Sequence, residues 1–291
     1  MVQVLINIIF SLCLYLFIGF GLNQNFKVLK TINIVYASYI PLSAYITFYF
    51  NNSYSLPFLI SAFISIILIV TINTFIESLI LSILRNRVEN SLISLLATLG
   101  LYIIVLNTIS IFWGDSNQVY SINYSSTNIK IFSGVITSPQ VYLIVVCFLS
   151  ILILSLIQHN FLIGRKIKAV SSNPNLSELF GINKSYIFIL TSMFTSAIMA
   201  IAGILISMNI GFYPSMGFNL FIYGFIVIII GGLNSNFGLF IGALILSASQ
   251  HLSAFVFDSK WFNLVSYVVL IIFLFWRPLG FSGNQLKKVE I

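Results

Sequence analysis

Side chains that can coordinate, ionise or attack are scarce in this sequence, and their spacing suits little chemistry. Its 291 residues contain two His and two Cys. His159 and His251 are far from the helical spacing that would let them share a metal, and no Cys lies within ligand spacing of either. A lone His near the end of an apolar stretch serves well as an amphipathic interface side chain. Cys13 and Cys147 sit inside apolar runs, as inert buried thiols do, and a disulfide is not expected. Glu77 is the only acid within an apolar segment, so no carboxylate pair exists there for acid–base work, and nothing specifies a Ser-His-Asp set. Gly181-Ile-Asn-Lys184-Ser185 imitates a phosphate-binding loop but lacks the Gly before Lys that brings backbone amides to phosphate. The expectation is a chain that is not an enzyme and binds no metal, ATP or other cofactor itself.

The composition says where such a chain lives. Charged residues are 7% of the total, where a soluble domain carries roughly 25%. Hydrophobic residues reach 59% and mean hydropathy is +1.07, more apolar surface than one soluble core can absorb. Disorder, a disulfide-stapled secreted domain and an ordinary cytosolic enzyme are excluded, leaving an integral membrane protein. The net charge of +7 and pI near 9.4 call for no nucleic acid, because cytoplasmic loops of membrane proteins concentrate Lys and Arg. Residues 1–10 lack a basic start, so no cleavable signal is expected.

A bilayer core about 30 Å thick needs on the order of 20 apolar residues per helix. Cutting the chain at its polar clusters gives nine stretches, 4–22, 32–50, 57–84, 92–113, 141–157, 187–208, 220–232, 238–256 and 264–276. The expected fold is all-α, a polytopic membrane bundle of about 8–10 helices forming a single domain over 1–291. The seventh stretch is short, so 220–256 reads either as two spans or as a re-entrant hairpin. With the loop between the fifth and sixth stretches placed inside, eleven of 13 basic residues fall on that side; only Lys130 and Lys260 lie outside. The N-terminus is then external and the C-terminus cytoplasmic. Residues 114–140 form a polar external loop, and a crowd of glycines from Gly203 to Gly242 predicts close helix approach, with Gly231, Gly232, Gly238 and Gly242 as packing positions.

Two features inside this frame carry functional information. Glu77 could line a cation or substrate path; alternatively, at the cytoplasmic end of a long third helix, it pairs with Arg85. The second reading is favoured because a group that leaves the hydrocarbon avoids the desolvation cost. The other feature is the loop 164–185. Asn173 suits an N-cap, Pro174 the first helical position and Gly181 a left-handed terminus, which predicts a short cytoplasmic helix. Leu176, Leu179 and Phe180 share one face of it, with Ser177 and Glu178 elsewhere. Basic residues Arg165, Lys166 and Lys168 precede it, so the ridge could rest on lipid or on a protein.

These residues resemble the cytoplasmic coupling segment of permease subunits of branched-chain amino acid type ABC importers. The run Leu95-Leu-Ala-Thr-Leu-Gly-Leu-Tyr-Ile103 with Asn107, the turn Gly231-Gly-Leu-Asn-Ser-Asn-Phe-Gly238 and the ending Trp276-Arg-Pro-Leu-Gly-Phe-Ser-Gly283 resemble further stretches of that family, in matching order. Asn234 replaces a usual Gly, and an Asn-Phe-Ala-His-Gly-like stretch is replaced by Asn33-Ile-Val-Tyr-Ala-Ser-Tyr-Ile-Pro-Leu-Ser-Ala-Tyr45. The resemblance implies an ABC importer permease fold in a bacterial inner membrane. It implies ATPase subunits, two in number, carrying ATP and Mg and docked on the helix from Asn173 to Gly181 within a coupling loop that supplies Arg165, Lys168, Asn173, Pro174, Leu176, Glu178, Leu179, Phe180 and Gly181. A second homologous permease and an external solute-binding protein complete the implied assembly.

Pro41 should interrupt the second span, and Asn33, Ser38, Tyr39, Pro41, Ser43 and Asn107 are candidates for the substrate pathway, though an ordinary packing kink fits Pro41 equally well. Hydroxyls, amides and aromatics with one acid suit a small neutral or zwitterionic solute. Branched-chain amino acids lead; urea, short amides and monosaccharides are alternatives, and a membrane subunit of an electron-transfer complex is the alternative of another class.

Overall fold

The computed structural model describes residues 1–87, 91–120, 129–131, 134–233, 235–277 and 280–281. Asn234, Lys287, Lys288, Pro278, Leu279 and most of the 114–140 loop's centre therefore lie outside the described residues, as do the side chains of Arg87, Lys130 and His159.

Long apolar stretches become helices because only a helix satisfies every backbone group within one segment in lipid. The long helices are α1 (Val2–Leu29), α2 (Val35–Ser53), α3 (Phe58–Ile76), α5 (Ser91–Trp113), α6 (Ser138–Asn160), α9 (Lys184–Ile210), α10 (Met216–Gly231), α11 (Asn236–Val256) and α12 (Phe262–Trp276). α3 continues through a π-helical turn, Glu77–Leu81, into α4 (Ser82–Arg87). Among the described residues, seven helical stretches are long and apolar enough to cross a membrane: those of α1, α3–α4, α5, α6, α9, α11, and α12 with the turn before it. α2 and α10 complete the bundle. At 1.5 Å per residue the 16 residues of α10 span about 24 Å, short of a full bilayer core.

α10 nevertheless runs from end to end. Just before it, Phe212 exchanges backbone hydrogen bonds with Gln118, both 2.9 Å, and just after it the Phe281 amide donates to Ile230 O at the opposite pole. Residues 220–256 thus form two consecutive helices packed on each other, of which α11 is long and apolar enough to cross a membrane and α10 is shorter. α1, α2, α9, α10 and α11 pack on one another to form the core, whereas α3, α5, α6 and α12 leave most of their apolar surface exposed.

Part of the 114–140 loop folds as a short antiparallel hairpin, β1 (Ile129–Ile131) with β2 (Gly134–Ile136), which rests on the start of α1 through Gln3 and Val135. This places the N-terminus and that loop at one pole. The loop 164–185 lies at the other, where α7 (Leu162–Ser172) buries Gly164, Ile167 and Val170 at three-residue spacing against Val28 and Ile187, leaving Arg165 and Lys168 exposed.

The glycine crowd does bring backbones together. A methyl at Gly242 would lie 2.6 Å from Val227 O, and one at Gly231 2.5 Å from Gly238 O, so α10 and α11 touch through backbone. Gly232 takes φ 85° as it closes α10, a conformation suited to glycine, and Ser235 caps α11 by accepting from the Gly238 amide at 3.0 Å.

Candidate functional site

The helix expected after Asn173 is present as α8 (Pro174–Leu179). Asn173 Oδ1 accepts the Leu176 amide at 3.1 Å, Pro174 occupies the first turn where its missing N–H costs nothing, and Gly181 ends the element at φ 78°. Ser177 faces inward and bonds to Asn173 O at 2.8 Å, while Glu178 pairs with Lys184 at 3.0 Å. Leu176, Leu179 and Phe180 are 51%, 83% and 78% exposed. Six residues of helix thus hold an apolar ridge away from the protein, and α7 presents Arg165 and Lys168 on its own exposed face. An exposed ridge on a braced, capped element has the geometry of a docking surface.

The pathway candidates do not converge. α2 is continuous through Pro41, so the interrupted span expected from that proline is not unwound. The physical reason lies in its neighbours. Pro41 removes the amide that would bond Ala37 O, and that carbonyl instead faces Gly217 of α10, while Gly203 of α9 lies against Ile40 O. Ser43 Oγ donates to Ile40 O at 2.8 Å and Ala200 O at 3.0 Å, and Ser65 and Thr47 both donate to Ser43 O at 2.8 Å. Ser38 bonds Val35 O at 2.7 Å. These hydroxyls bond backbone carbonyls of α2 and α9. Asn107 is displaced from the group altogether: it is exposed on α5 and donates to Ile103 O of its own helix at 2.8 Å. Asn33 accepts the Val35 amide at 3.1 Å at the start of α2. Tyr39 is fully buried, and its hydroxyl has no hydrogen-bond partner among the described residues.

A polar cluster that the sequence reading did not assemble lies between these sites. Asn25 Nδ2 donates to the Tyr36 hydroxyl at 2.7 Å, Tyr36 donates to Ser192 Oγ at 3.1 Å, and Asn73 Nδ2 donates to the same oxygen at 2.8 Å. One turn beyond Asn73, Glu77 makes the expected ion pair with Arg85, whose guanidinium stands 5.1 Å above the Phe188 ring. The pair was expected to be spared desolvation. It is not, because Glu77 is only 1% exposed and the π turn directs it into the bundle. The signal existed in the sequence: Ser61, Ser65, Ile69, Asn73 and Glu77 recur every four residues along an otherwise apolar helix, and all are buried. The remaining chemical candidate is bland. His251 shares a 2.8 Å hydrogen bond with Ser11 and packs against Phe262, and no group of three or more His, Cys, Asp or Glu suited to a metal occurs among the described residues.

Comparison with known proteins gives this architecture a family. Residues 4–274 match the model of the branched-chain amino acid transport system / permease component family. The chain belongs to that family. The high-affinity branched-chain amino acid transport system permease protein LivH of Salmonella typhimurium is 28% identical over 209 residues, covering 70% of this chain and 68% of the relative; LivH of Escherichia coli and BraD of Pseudomonas aeruginosa match to the same extent. Among solved structures, PsaBC from Streptococcus pneumoniae in complex with Fab aligns with a TM-score of 0.51 at 10% identity, over 94% of this chain and 91% of that one, a likeness of fold. The protein is a multi-pass permease subunit of an ABC importer.

Proposed function

We propose that this subunit forms half of the membrane pathway of an importer for branched-chain amino acids, and that α8 receives the force that drives it. The similarity to LivH and BraD, high-affinity branched-chain amino acid transport system permeases, supports the solute class. The observation that carries the docking role is the ridge of Leu176, Leu179 and Phe180, exposed on a helix fixed by Asn173 and by the Glu178–Lys184 pair. A lone apolar ridge in the cytosol gains free energy when a partner covers it, at about 25 cal/mol per Å² removed from water.

The partner of this reading is an ATPase subunit, one for each of two homologous permeases, with ATP and Mg held on the ATPases. An external binding protein delivers the solute. Closure of the ATPases on nucleotide shifts α8, and α9, which follows it directly, carries the displacement into the bundle core. In this reading the pole bearing α7 and α8 faces the cytoplasm and the pole bearing the N-terminus faces outward, which the distribution of Lys and Arg supports.

The test is the double variant L179D/F180D. It is expected to abolish co-purification of the ATPase subunits while the permease still purifies as a folded membrane protein. Undiminished recovery of the ATPase would refute docking on this ridge. Uptake of leucine, urea and a monosaccharide by the assembled importer distinguishes the leading solute class from its alternatives.

A further inference from the structure

Where α6 gives way to α7, apolar and basic side chains stand exposed side by side. The apolar span of α6 ends at Ile157 and α7 begins at Leu162, so the first turn of α7 lies within about 10 Å of the hydrocarbon edge. Phe161 and Leu162, at that junction, are 58% and 66% exposed. Arg165 follows Phe161 by four residues and Lys166 follows Leu162 by four, with Lys168 three beyond Arg165, so the cations share helix stripes with the apolar pair. All three cations are exposed. Gly164, Ile167 and Val170 bury the opposite face of α7 at the ends of α1 and α9, so the helix cannot turn its exposed side inward. Nor is the charge matched within the protein. No acid occurs between Asp115 and Glu178, and the two described acids at this pole are engaged elsewhere, Glu77 by Arg85 and Glu178 by Lys184.

We propose that the junction of α6 and α7 binds an anionic phospholipid, with the phosphodiester on Arg165, Lys166 and Lys168 and the upper part of the acyl chains on Phe161 and Leu162. Each half of the surface selects its occupant. Phe161 and Leu162 at the membrane border are covered by acyl chains, whereas a soluble anion would leave them in water. Cations at a membrane surface attract anionic lipid several-fold each and gain little from zwitterionic lipid, so charge is what discriminates. Arg and Lys suit the place because their stems lie along apolar neighbours while their heads reach the headgroups. This site is separate from the ridge on α8 and assigns Arg165 and Lys168 to lipid rather than to an ATPase. A lipid held here braces α7, and α8 projects from the end of α7.

The experiment places a bimane fluorophore on Leu162→Cys in the full chain, with Cys13 and Cys147 replaced by Ala, reconstituted in phosphatidylcholine nanodiscs. Phosphatidylglycerol or phosphatidylcholine carrying a nitroxide near the headgroup end of one acyl chain serves as the quencher. A nanodisc has one lipid composition on both faces, so the result does not depend on which pole faces the cytoplasm or on what the importer carries. Phosphatidylglycerol is expected to quench at mole fractions at least about fivefold lower than phosphatidylcholine, the effect of a single cation. Adding R165Q/K166Q/K168Q should bring the two lipids to parity, while R277Q, at the end of α12, should leave the preference intact. Equal quenching by the two lipids in the chain that keeps its cations overturns the site, as does a preference that survives the triple variant or falls as far with R277Q. Quenching by neither lipid means that a second copy of the chain covers Phe161 and Leu162, and it rejects the site equally. ATPase co-purification separates lipid from protein: the triple variant is expected to recover the ATPase as the wild type does. Loss of the ATPase with the lipid preference intact would assign the cations to docking and overturn the lipid site.

Discussion

Two glycines of similar helical setting show how much depends on a single missing methyl. Gly217 lies where α10 crosses α2, and a Cβ there would meet Ala37 O and stand 2.6 Å from Pro41 Cδ. The obstacle is backbone and a rigid ring, so neither can yield by changing rotamer. Gly100, within α5, has nothing within 4 Å of where its Cβ would be. Gly217→Ala is therefore expected to destabilise the protein by about 1–3 kcal/mol through overpacking. Gly100→Ala should be neutral or stabilising by up to about 1 kcal/mol, because it only removes backbone freedom from the unfolded chain. Thermal unfolding of the two purified variants in the same detergent checks the pair: Tm should fall for the first and hold or rise for the second. The same contact explains why the sequence left a broken span and a packing kink equally open at Pro41. A proline in a span exposes a carbonyl, but whether that carbonyl meets solute or a neighbouring glycine depends on a residue 176 positions away, and no local pattern records it.

At the scale of the element, α8 was legible because its determinants are local. The cap, the proline, the terminal glycine and the ridge all fall within 173–181, and each acts on its near neighbours. A six-residue helix is too short to be stable by propensity, so its cap carries an unusual share of its order. Asn173→Ala is expected to cost about 1 kcal/mol locally, seen as faster amide exchange at Leu176 and weaker ATPase co-purification, whereas Asn173→Asp should retain both. The Glu178–Lys184 pair is partly exposed, and Glu178→Gln should change chain stability by no more than about 0.5 kcal/mol, which chemical denaturation would register. α3 was legible only in part. Its apolar length announced a span, but the buried stripe from Ser61 to Glu77 needed partners on α2 and α9 before it had meaning, and the π turn that redirects Glu77 leaves no mark in hydropathy. Asn107 illustrates the converse: a polar residue on a span can bond its own backbone and face outward, as this one does.

For the whole molecule, the fold and the charge distribution can be set against each other. The N-terminus, the β hairpin and the segment joining Gln118 to Phe212 share one pole, and Lys260 follows α11 on its return to that pole. Lys30, Arg85, Arg165, Lys168, Lys184 and Arg277 belong to the other, at the ends of successive helices or in the loop between α6 and α9. Connectivity alone would permit either pole to face the cytoplasm. The basic excess supports the orientation proposed above, because Lys and Arg in short loops are retained on the cytoplasmic side during insertion. The consequence is measurable in inverted and right-side-out vesicles with single cysteines in a background where Cys13 and Cys147 are replaced by Ala. Phe180→Cys should react with a membrane-impermeant maleimide only in inverted vesicles, and Lys260→Cys only in right-side-out ones. The ATPase adds a directional control: if α8 is its docking surface, bound ATPase should protect Phe180→Cys and leave Lys260→Cys untouched. Labelling of Phe180→Cys from the external side would reverse the whole molecule in the membrane and place the ridge beyond the reach of any nucleotide-driven partner.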